Sequence, residues 1–140
     1  MDFRNEDILE TEEKFDLIIC LDVFEHVEDY IGFLRKLRRH AKKFVFNIPL
    51  DLNFAKLAGG YKEVRENVGH LHYFNVYTAL ETLKLAGFAV EDHFLSAQKL
   101  KSRTIKHYLV ALPRKLPIPA SLSAKLFGGY SLVVTANQGM

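Results

Sequence analysis

The stretch Phe15-Asp16-Leu17-Ile18-Ile19-Cys20-Leu21 decides the fold of this 140-residue chain. It is a short, nearly continuous apolar run rich in β-branched residues, a pattern typical of a strand buried on both faces in a parallel sheet. From Asp29, whose side chain suits an N-cap, apolar residues recur at helical spacing, and the helix should end near His40. The run Phe44 to Ile48 predicts a second buried strand, which Pro49 ends. Together these segments predict a βαβ unit.

The rest of the chain predicts further elements of the same α/β class. A short helix is predicted over 52–58, ended by Gly59-Gly60, and a lid or loop follows up to Gly69. The next helix is capped by Asn75, with Thr78-x-x-Glu81 as a capping box displaced inward and Gly87 after its end. A strand over 88–95, amphipathic pieces around 105–112 and 121–127, and a last strand over 130–136 complete the prediction.

Composition excludes several classes of protein. With 49% hydrophobic and 26% charged residues, the chain is neither disordered nor collagen-like. Its longest apolar run, Leu17 to Leu21, is far below the roughly 18 residues of a membrane span, and residues 1–6 lack the character of a signal peptide. Cys20 is the only cysteine, which forbids an internal disulfide and a cysteine-rich zinc site. A single cysteine fits a reducing compartment, so we expect a cytoplasmic protein.

Charge is unevenly distributed along the chain. Residues 1–30 hold eleven acids and two bases, and the remainder has a net charge of +11. No acid follows Asp92, whereas seven lysines and arginines do, with apolar residues among them. A solvated surface explains these charges most simply. The alternative is that the basic segment 97–129 contacts an anionic membrane surface or grips an anionic or lipidic acceptor. The acidic first block argues against a specific nucleic-acid partner.

The segment from Phe15 to Val27, FDLIICLDVFEHV, resembles the fourth-strand signature of class I methyltransferases that use S-adenosylmethionine, whose pattern is close to FDLIxxxDVLEHV. Three further pieces resemble elements of that family in the same order. The segment from Asn5 to Leu9 resembles the acidic turn after the third strand, and the segment from Phe46 to Pro49 resembles the end of the fifth. The segment from Gly69 to Phe74, continuing through Ala86 to Phe88, resembles the part that leads into the last helix and the sixth strand. The four pieces cover about residues 3–96.

The resemblance implies a fold and a reaction. The fold is an α/β, Rossmann-like sheet with helices on both faces and strand order 3-2-1-4-5-7-6. The reaction is methyl transfer from S-adenosylmethionine, the implied cofactor, to an oxygen or nitrogen nucleophile on a small-molecule or lipid acceptor that the sequence does not identify. A non-catalytic binding or regulatory module that docks an anionic partner is the alternative.

The family's glycine-rich turn and the acid that ends its second strand have no counterpart in this sequence, because Gly59-Gly60 and Gly128-Gly129 follow no predicted strand. We therefore expect the C-terminal part of a methyltransferase domain, without its first two strands and inactive by itself. The expected parts are a family-like core over 3–96 that opens with a strand at 3–8, a basic insertion over 97–129 and a last strand over 130–136. The strand at 15–21 would then expose an edge able to pair with 3–8 or with a second copy.

The resemblance also implies which residues hold the cofactor. Asp7 would accept a hydrogen bond from the adenine amino group while the backbone of Ile8 contacts the ring edge. The backbone around Cys20 and Leu21, together with Asp22, would lie at the methionine end, at the carboxyl end of a strand. A plain turn acid at Asp7 and a turn cap at Asp22 are the structural alternatives.

Four residues are candidates for the chemistry: Glu25, His26, His70 and His72. A hydroxyl or amine acceptor must lose a proton, and imidazole titrates near neutral pH, so His26 is the preferred base. If the segment at His70 and His72 is extended, both rings lie on one face, and we expect at least one to face the pocket. Structural histidines bonded to backbone are the alternative.

The motif Asp22-x-x-Glu25-His26 also suggests an alternative role, the binding of a divalent metal. On a helical turn these side chains would share a face, and oxygen with imidazole ligands suits a divalent metal. Ubiquinone-pathway O-methyltransferases and small-RNA 2′-O-methyltransferases have a similar Glu-x-x-Glu-His metal site. Here aspartate replaces the first glutamate and shortens the reach, so we assign no metal from the sequence and the question stays open.

Overall fold

The computed structural model describes residues 4–57, 60–97 and 117–139. In these residues the chain forms four strands, five helices and one 3₁₀ turn. The strands are β1 (Phe15–Leu21), β2 (Ala41–Pro49), β3 (Ala89–Ala97) and β4 (Tyr130–Asn137), and the helices are α1 (Tyr30–Leu37), α2 (Phe54–Leu57), α3 (Gly60–Val68), α4 (Val76–Leu85) and α5 (Ala120–Phe127), with the 3₁₀ turn at Phe24–His26.

The four strands make one mixed sheet in the order β1-β2-β4-β3. β1 and β2 are parallel, whereas β4 runs antiparallel to both β2 and β3. This is the order that the resemblance implies for the family's fourth, fifth, seventh and sixth strands, so the expected fold class is confirmed. The predicted βαβ unit is confirmed as well, and the Asp29 side chain caps α1 by accepting a hydrogen bond from the Gly32 amide (2.9 Å).

The core lies on the face of the sheet to which alternate residues of β1 and β2 point. Ile18 pairs with Phe44 and Cys20 pairs with Phe46, and all four side chains are buried. They belong to one apolar cluster with buried residues of α1 and α4. Phe24, 0% exposed, packs edge-on against Phe46 and Phe74, which fixes the 3₁₀ turn to the sheet.

Two expectations about the first strands are wrong. No strand forms in the described residues 4–14, so the predicted strand over 3–8 is not available to pair with β1. Among the described strands β1 pairs with β2 alone, and Leu17, Ile19 and Leu21 are about half exposed. The apolar run therefore predicted a strand correctly but not burial on both faces, because burial depends on neighbours that the strand's own sequence does not contain.

Two expectations about helices also need correction. The polar stretch predicted as a lid or loop contains α3, whose residues Tyr61, Val64 and Val68 recur at helical spacing among lysine, arginine and glutamate, which are good helix formers. The capping box of α4 joins Asn75 to Thr78 instead of Thr78 to Glu81: each side-chain oxygen accepts a hydrogen bond from the other residue's amide, both at 2.9 Å.

The basic segment is described only in part. The amphipathic piece expected around 105–112 lies outside the described residues, whereas the piece expected at 121–127 forms α5. Leu122 and Leu126 of α5 are exposed beside Lys125. No helix in the described parts of the chain is both long and apolar enough to cross a membrane.

Candidate functional site

The carboxyl ends of β1 and β2 meet at one edge of the sheet, and Asp22 marks that edge. It follows β1 directly and is the one non-glycine residue of the described chain with a positive φ, 50°. Its amide donates to the Asn47 carbonyl (3.1 Å), and its carboxylate accepts from the Asn47 side-chain amide (2.8 Å). Ligands of open α/β sheets bind at this edge, and a left-handed aspartate there is a strained backbone held in place by its neighbours.

Cys20 lies just inside this edge and is buried. Burial, with a smaller contribution from the negative charges of Glu25 and Asp22, raises the pKa of its thiol to about 12. The thiol therefore stays protonated at neutral pH and is not a nucleophile. The contact of its backbone with the cofactor, which the resemblance implies, stays a prediction.

The 3₁₀ turn carries Glu25 into the interior. Its side chain is 0% exposed, and neither carboxylate oxygen has a hydrogen-bond partner among the described residues. Burial raises the pKa of the carboxyl to about 7. A buried carboxylate without partners is costly in free energy, and the raised pKa means that the neutral, protonated form is favoured here.

His26 and His70 stand beside Glu25 with their rings edge to face, 4.7 Å between centroids. Nδ1 of His26 lies 3.1 Å from the Gly69 carbonyl oxygen, and Nδ1 of His70 lies 2.6 Å from Oδ2 of Asp51. Both partners only accept hydrogen bonds, so we assign the proton of each neutral ring to Nδ1. Nε2 of each ring then keeps its lone pair.

These three side chains form a group that we call the Glu25–His26–His70 cluster. One potential ligand atom from each lies within 4.8 Å of the others. Glu25 and His70 are buried and His26 is exposed, so the cluster is closed on one side and open to solvent on the other. It can accept a proton, orient a hydroxyl or amine, or hold a cation.

Two of the sequence candidates lie outside the cluster. Asp22 is separated from it because its carboxylate is bonded to Asn47, so the face shared by Asp22, Glu25 and His26 on a helical turn does not form. Nε2 of His72 is 3.0 Å from the Val27 carbonyl oxygen, and its ring packs on Tyr30. Of the histidine pair, the structure places His70 in the cluster and His72 in a backbone contact.

Asp51 is a functional candidate that sequence reasoning missed. It is buried, it hydrogen-bonds His70 through Oδ2, and its other oxygen forms an ion pair with Lys56. A signal was present: Asp51 follows β2 closely, much as Asp22 follows the parallel neighbour β1. Polar residues after adjacent parallel strands meet at the same edge of a sheet.

Asp7 and Ile8 lie in a different place. They line a cleft of about 300 Å³ together with residues before and at the start of β1. The Asp7 carboxylate accepts a hydrogen bond from the Leu9 amide (2.9 Å), as in an Asx turn. Neither Cys20 nor Asp22 lines this cleft, so in the described residues the two expected halves of the cofactor site do not share one cavity.

Comparisons with known proteins agree with this architecture. A family model described as a methyltransferase domain matches residues 1–93. No curated protein sequence matches the chain. Among solved structures, a candidate methyltransferase from Bacillus halodurans superposes with a TM-score of 0.62 at 14% identity, over 96% of this chain and 70% of that one.

Two further solved structures contain S-adenosylmethionine or S-adenosylhomocysteine. Magnesium protoporphyrin IX methyltransferase from Synechocystis PCC 6803, with bound S-adenosylhomocysteine, gives a TM-score of 0.55 at 14% identity, covering 96% of this chain and 50% of that one. Phosphoethanolamine N-methyltransferase 2 from Haemonchus contortus, with S-adenosylmethionine, gives 0.56 at 15% identity, covering 96% and 36%. At these identities the likeness establishes the fold, and the chain spans half or less of these two proteins.

Proposed function

This chain belongs to the methyltransferase-domain family, and we propose that it contributes to methyl transfer from S-adenosylmethionine to an oxygen or nitrogen nucleophile. The observation that carries the proposal is the position of the Glu25–His26–His70 cluster directly after the carboxyl end of β1. Proton-accepting groups stand there at the sheet edge where α/β proteins bind their ligands. The class of acceptor and the inactivity of the isolated 140-residue chain are also parts of this proposal.

The residues at the sheet edge suit the chemistry of S-adenosylmethionine. When bound, the cofactor supplies a methyl group activated on a positively charged sulfur. Asp22 presents an exposed carboxylate at the end of β1, beside the backbone of Cys20 and Leu21, and such a negative charge favours a cation. We assign these three residues to the methionine end and Asp7 with Ile8 to the adenine end, as the resemblance implies.

On the acceptor side, His26 is the residue best placed to take a proton. It is exposed, and the Gly69 carbonyl holds its ring so that the Nε2 lone pair is free of other partners in the described chain. His70 stands behind it, oriented by Asp51, and Glu25 closes the interior side. These residues would orient the nucleophile and receive its proton, while alignment of the two reacting groups supplies most of the rate enhancement.

The test is methyl transfer by the natural polypeptide that carries this chain, assayed with methyl-labelled S-adenosylmethionine against small-molecule, lipid and RNA acceptors. We expect label on a hydroxyl or amine acceptor, and His26→Ala should lower turnover by about 100-fold or more. His93→Gln, on exposed β3, is the matched control and should leave turnover unchanged. Absence of transfer to every acceptor class would refute the proposal.

A second candidate function is a binding module that docks an anionic surface. The observation that favours it is α5, where Leu122 and Leu126 are exposed beside Lys125 in the basic part of the chain. Such a helix adsorbs to anionic lipid through apolar burial and charge together. Co-sedimentation with vesicles containing phosphatidylserine, compared with neutral vesicles and with high salt, tests it. Binding that does not depend on the charge of the lipid or on the salt concentration would contradict the binding-module function.

A further inference from the structure

We propose that a cleft at the amino ends of β1 and β2 binds a segment of single-stranded RNA. The cleft, which we call the basic cleft, has a volume of about 420 Å³. Its lining includes Lys14, Phe15, Asp16, Arg39, Lys42 and Gln138. It lies at the edge of the sheet opposite the Glu25–His26–His70 cluster, because that cluster follows the carboxyl end of β1. The inference goes beyond the proposed function and does not depend on methyl transfer.

The first observation is a concentration of cations without acidic partners. Residues 35–43, RKLRRHAKK, contain six lysines and arginines and no acid. One of the six, Arg38, is held by the carbonyls of Gly87 (3.0 Å) and Gln138 (2.8 Å). The other five and Lys14 are exposed, and none of them forms an ion pair with an acid of the described residues. Such a surplus of positive charge attracts a polyanion.

The second observation is that the acidic first block leaves this surplus in place. The acids of residues 22–29 follow β1, whose seven residues span roughly 23 Å from the basic cleft to the other edge. Glu6, Asp7 and Glu13 line the separate cleft of about 300 Å³. Asp16 is the one acid in the lining of the basic cleft, against three lysines and arginines. The lining therefore has a net positive charge.

The third observation is the shape of the cleft and the way its walls are joined. The Phe15 amide donates to the His40 carbonyl (2.8 Å), and the Gln138 amide donates to the Lys42 carbonyl (3.0 Å). These bonds connect the starts of β1 and β2 with the end of β4, so the cleft exists before any ligand binds. A flat bilayer surface does not enter a concave cleft, whereas a flexible chain of phosphates does. The shape therefore favours a single strand over a membrane.

The fourth observation is that side chains suited to nucleotides lie among the cations. Proteins bind single strands by combining a positively charged groove with aromatic rings on which bases stack. Phe15 is 36% exposed and offers such a ring, and the exposed Gln138 offers an amide for a base edge. Asp16 offers an acceptor for the ribose 2′-hydroxyl, the group that distinguishes RNA from DNA. Bases in a duplex are stacked on one another, so a single strand fits this set best.

The experiment is a titration of a fluorescein-labelled oligouridylate of about ten nucleotides with the full 140-residue chain, followed by fluorescence anisotropy. We expect saturable binding with a dissociation constant of about 10 µM or tighter at about 0.1 M salt. Three cations line the cleft, so the logarithm of the binding constant should fall with the logarithm of the salt concentration with a slope of about −2.

A double variant, Arg39→Gln with Lys42→Gln, tests the cations. Both side chains are exposed, so the core stays intact, and circular dichroism checks the fold. RNA affinity should fall by about 10-fold or more, and the salt slope should become shallower by about 1.4. The matched control is Lys62→Gln with Arg65→Gln on α3, which ends beside the Glu25–His26–His70 cluster. It loses the same two charges and should keep wild-type affinity.

Phe15→Leu tests the base. It keeps an apolar side chain at the start of β1 and removes the ring, so RNA affinity should fall by about 5-fold or more. Heparin, a polyanion without bases, is the comparison ligand. Its affinity should be unchanged in Phe15→Leu and reduced in the Arg39 and Lys42 double variant, because heparin meets the cations alone.

Five results would overturn the proposal. The first two are absence of saturable RNA binding and wild-type affinity in the Arg39 and Lys42 double variant, which would mean that the cations after Asp92 hold the RNA. An equal loss in the α3 control would show that total charge matters and the cleft does not. Unchanged RNA affinity in Phe15→Leu would eliminate a stacked single strand. Binding of phosphatidylserine vesicles through Arg39 and Lys42, without binding of RNA, would assign the cleft to a membrane surface instead.

Discussion

Glu25 shows how one residue can tie stability to function. A carboxylate with no partner in a closed site opposes folding, and such sites persist in native proteins where the group does chemistry or binds an ion. Its neighbours His26 and His70 are each held through Nδ1, by a carbonyl and a carboxylate respectively. One potential ligand atom of each of the three residues lies within 4.8 Å of the others.

The raised pKa of Glu25 predicts a pH dependence of stability in the chain stripped of divalent cations. The unfolded chain releases this proton near pH 4.5, whereas the folded chain keeps it until about pH 7. The unfolded state therefore binds fewer protons between these values, and the free energy of unfolding falls as pH rises from about 4.5 to 7. Glu25→Gln should remove this fall, which amounts to at most about 3 kcal/mol.

Urea unfolding of wild type and Glu25→Gln at pH 5 and pH 7.5, in the presence of EDTA, measures the effect. At each pH, the free energy of unfolding of the variant is subtracted from that of wild type. The change in this difference between pH 5 and pH 7.5 reports Glu25 alone, because the contributions of the other titrating groups cancel. A difference that does not change with pH would mean that Glu25 ionises in the folded chain as it does in the unfolded one.

Among the elements, α4 is stabilised at its N-terminus by a capping box. Asn75 and Thr78 exchange hydrogen bonds at its first turn, which satisfies backbone amides that a helix start leaves without partners. Asn75→Ala should lower the free energy of unfolding by about 1 kcal/mol. Thermal unfolding measures it, with Asn75→Asp as the matched variant that keeps a capping oxygen. Equal stability of Asn75→Ala and wild type would show that the box is dispensable.

β1 is the element with an unsatisfied edge. Its outer side has no strand partner among the described residues, and Ile19 is 59% exposed. An apolar edge of this kind pairs with other chains, so we expect concentration-dependent self-association. Ile19→Lys should reduce self-association, because a charge on an edge strand opposes pairing. Leu85→Lys, at an exposed position of α4, should not. Sedimentation velocity at several concentrations measures it, and a wild-type chain that stays monomeric throughout would contradict the expectation.

At the scale of the whole molecule, binding of S-adenosylmethionine depends on groups that are far apart in the chain. Asp7 and Ile8 line one cleft and Asp22 lies at another edge, and the sequence holds no glycine-rich turn after a strand to join them. Few contacts then remain to offset the loss of ligand freedom on binding. We expect the 140-residue chain to bind S-adenosylmethionine with a dissociation constant weaker than micromolar. Calorimetry measures it, and a micromolar or tighter value would show that the described residues suffice.

The sequence alone was enough to predict the βαβ unit, the strand from residue 130 and the helix after Asn75. Each depends on local chemistry: β-branched runs, apolar periodicity and capping side chains. The FDLIICLDVFEHV motif likewise indicated the family, and it placed Glu25 and His26 at the end of a strand.

Only the tertiary structure decided which side chains meet. Asp51 and His70 are 19 residues apart, and His26 and Gly69 are 43 apart. Their contacts follow from the parallel pairing of β1 with β2 and from the return of the chain before α4. The structure also removed Asp22 from the expected face, since a positive φ directs its carboxylate to Asn47. Spacing in a sequence predicts neighbours within one element, whereas a site built from several elements depends on packing that no single segment contains.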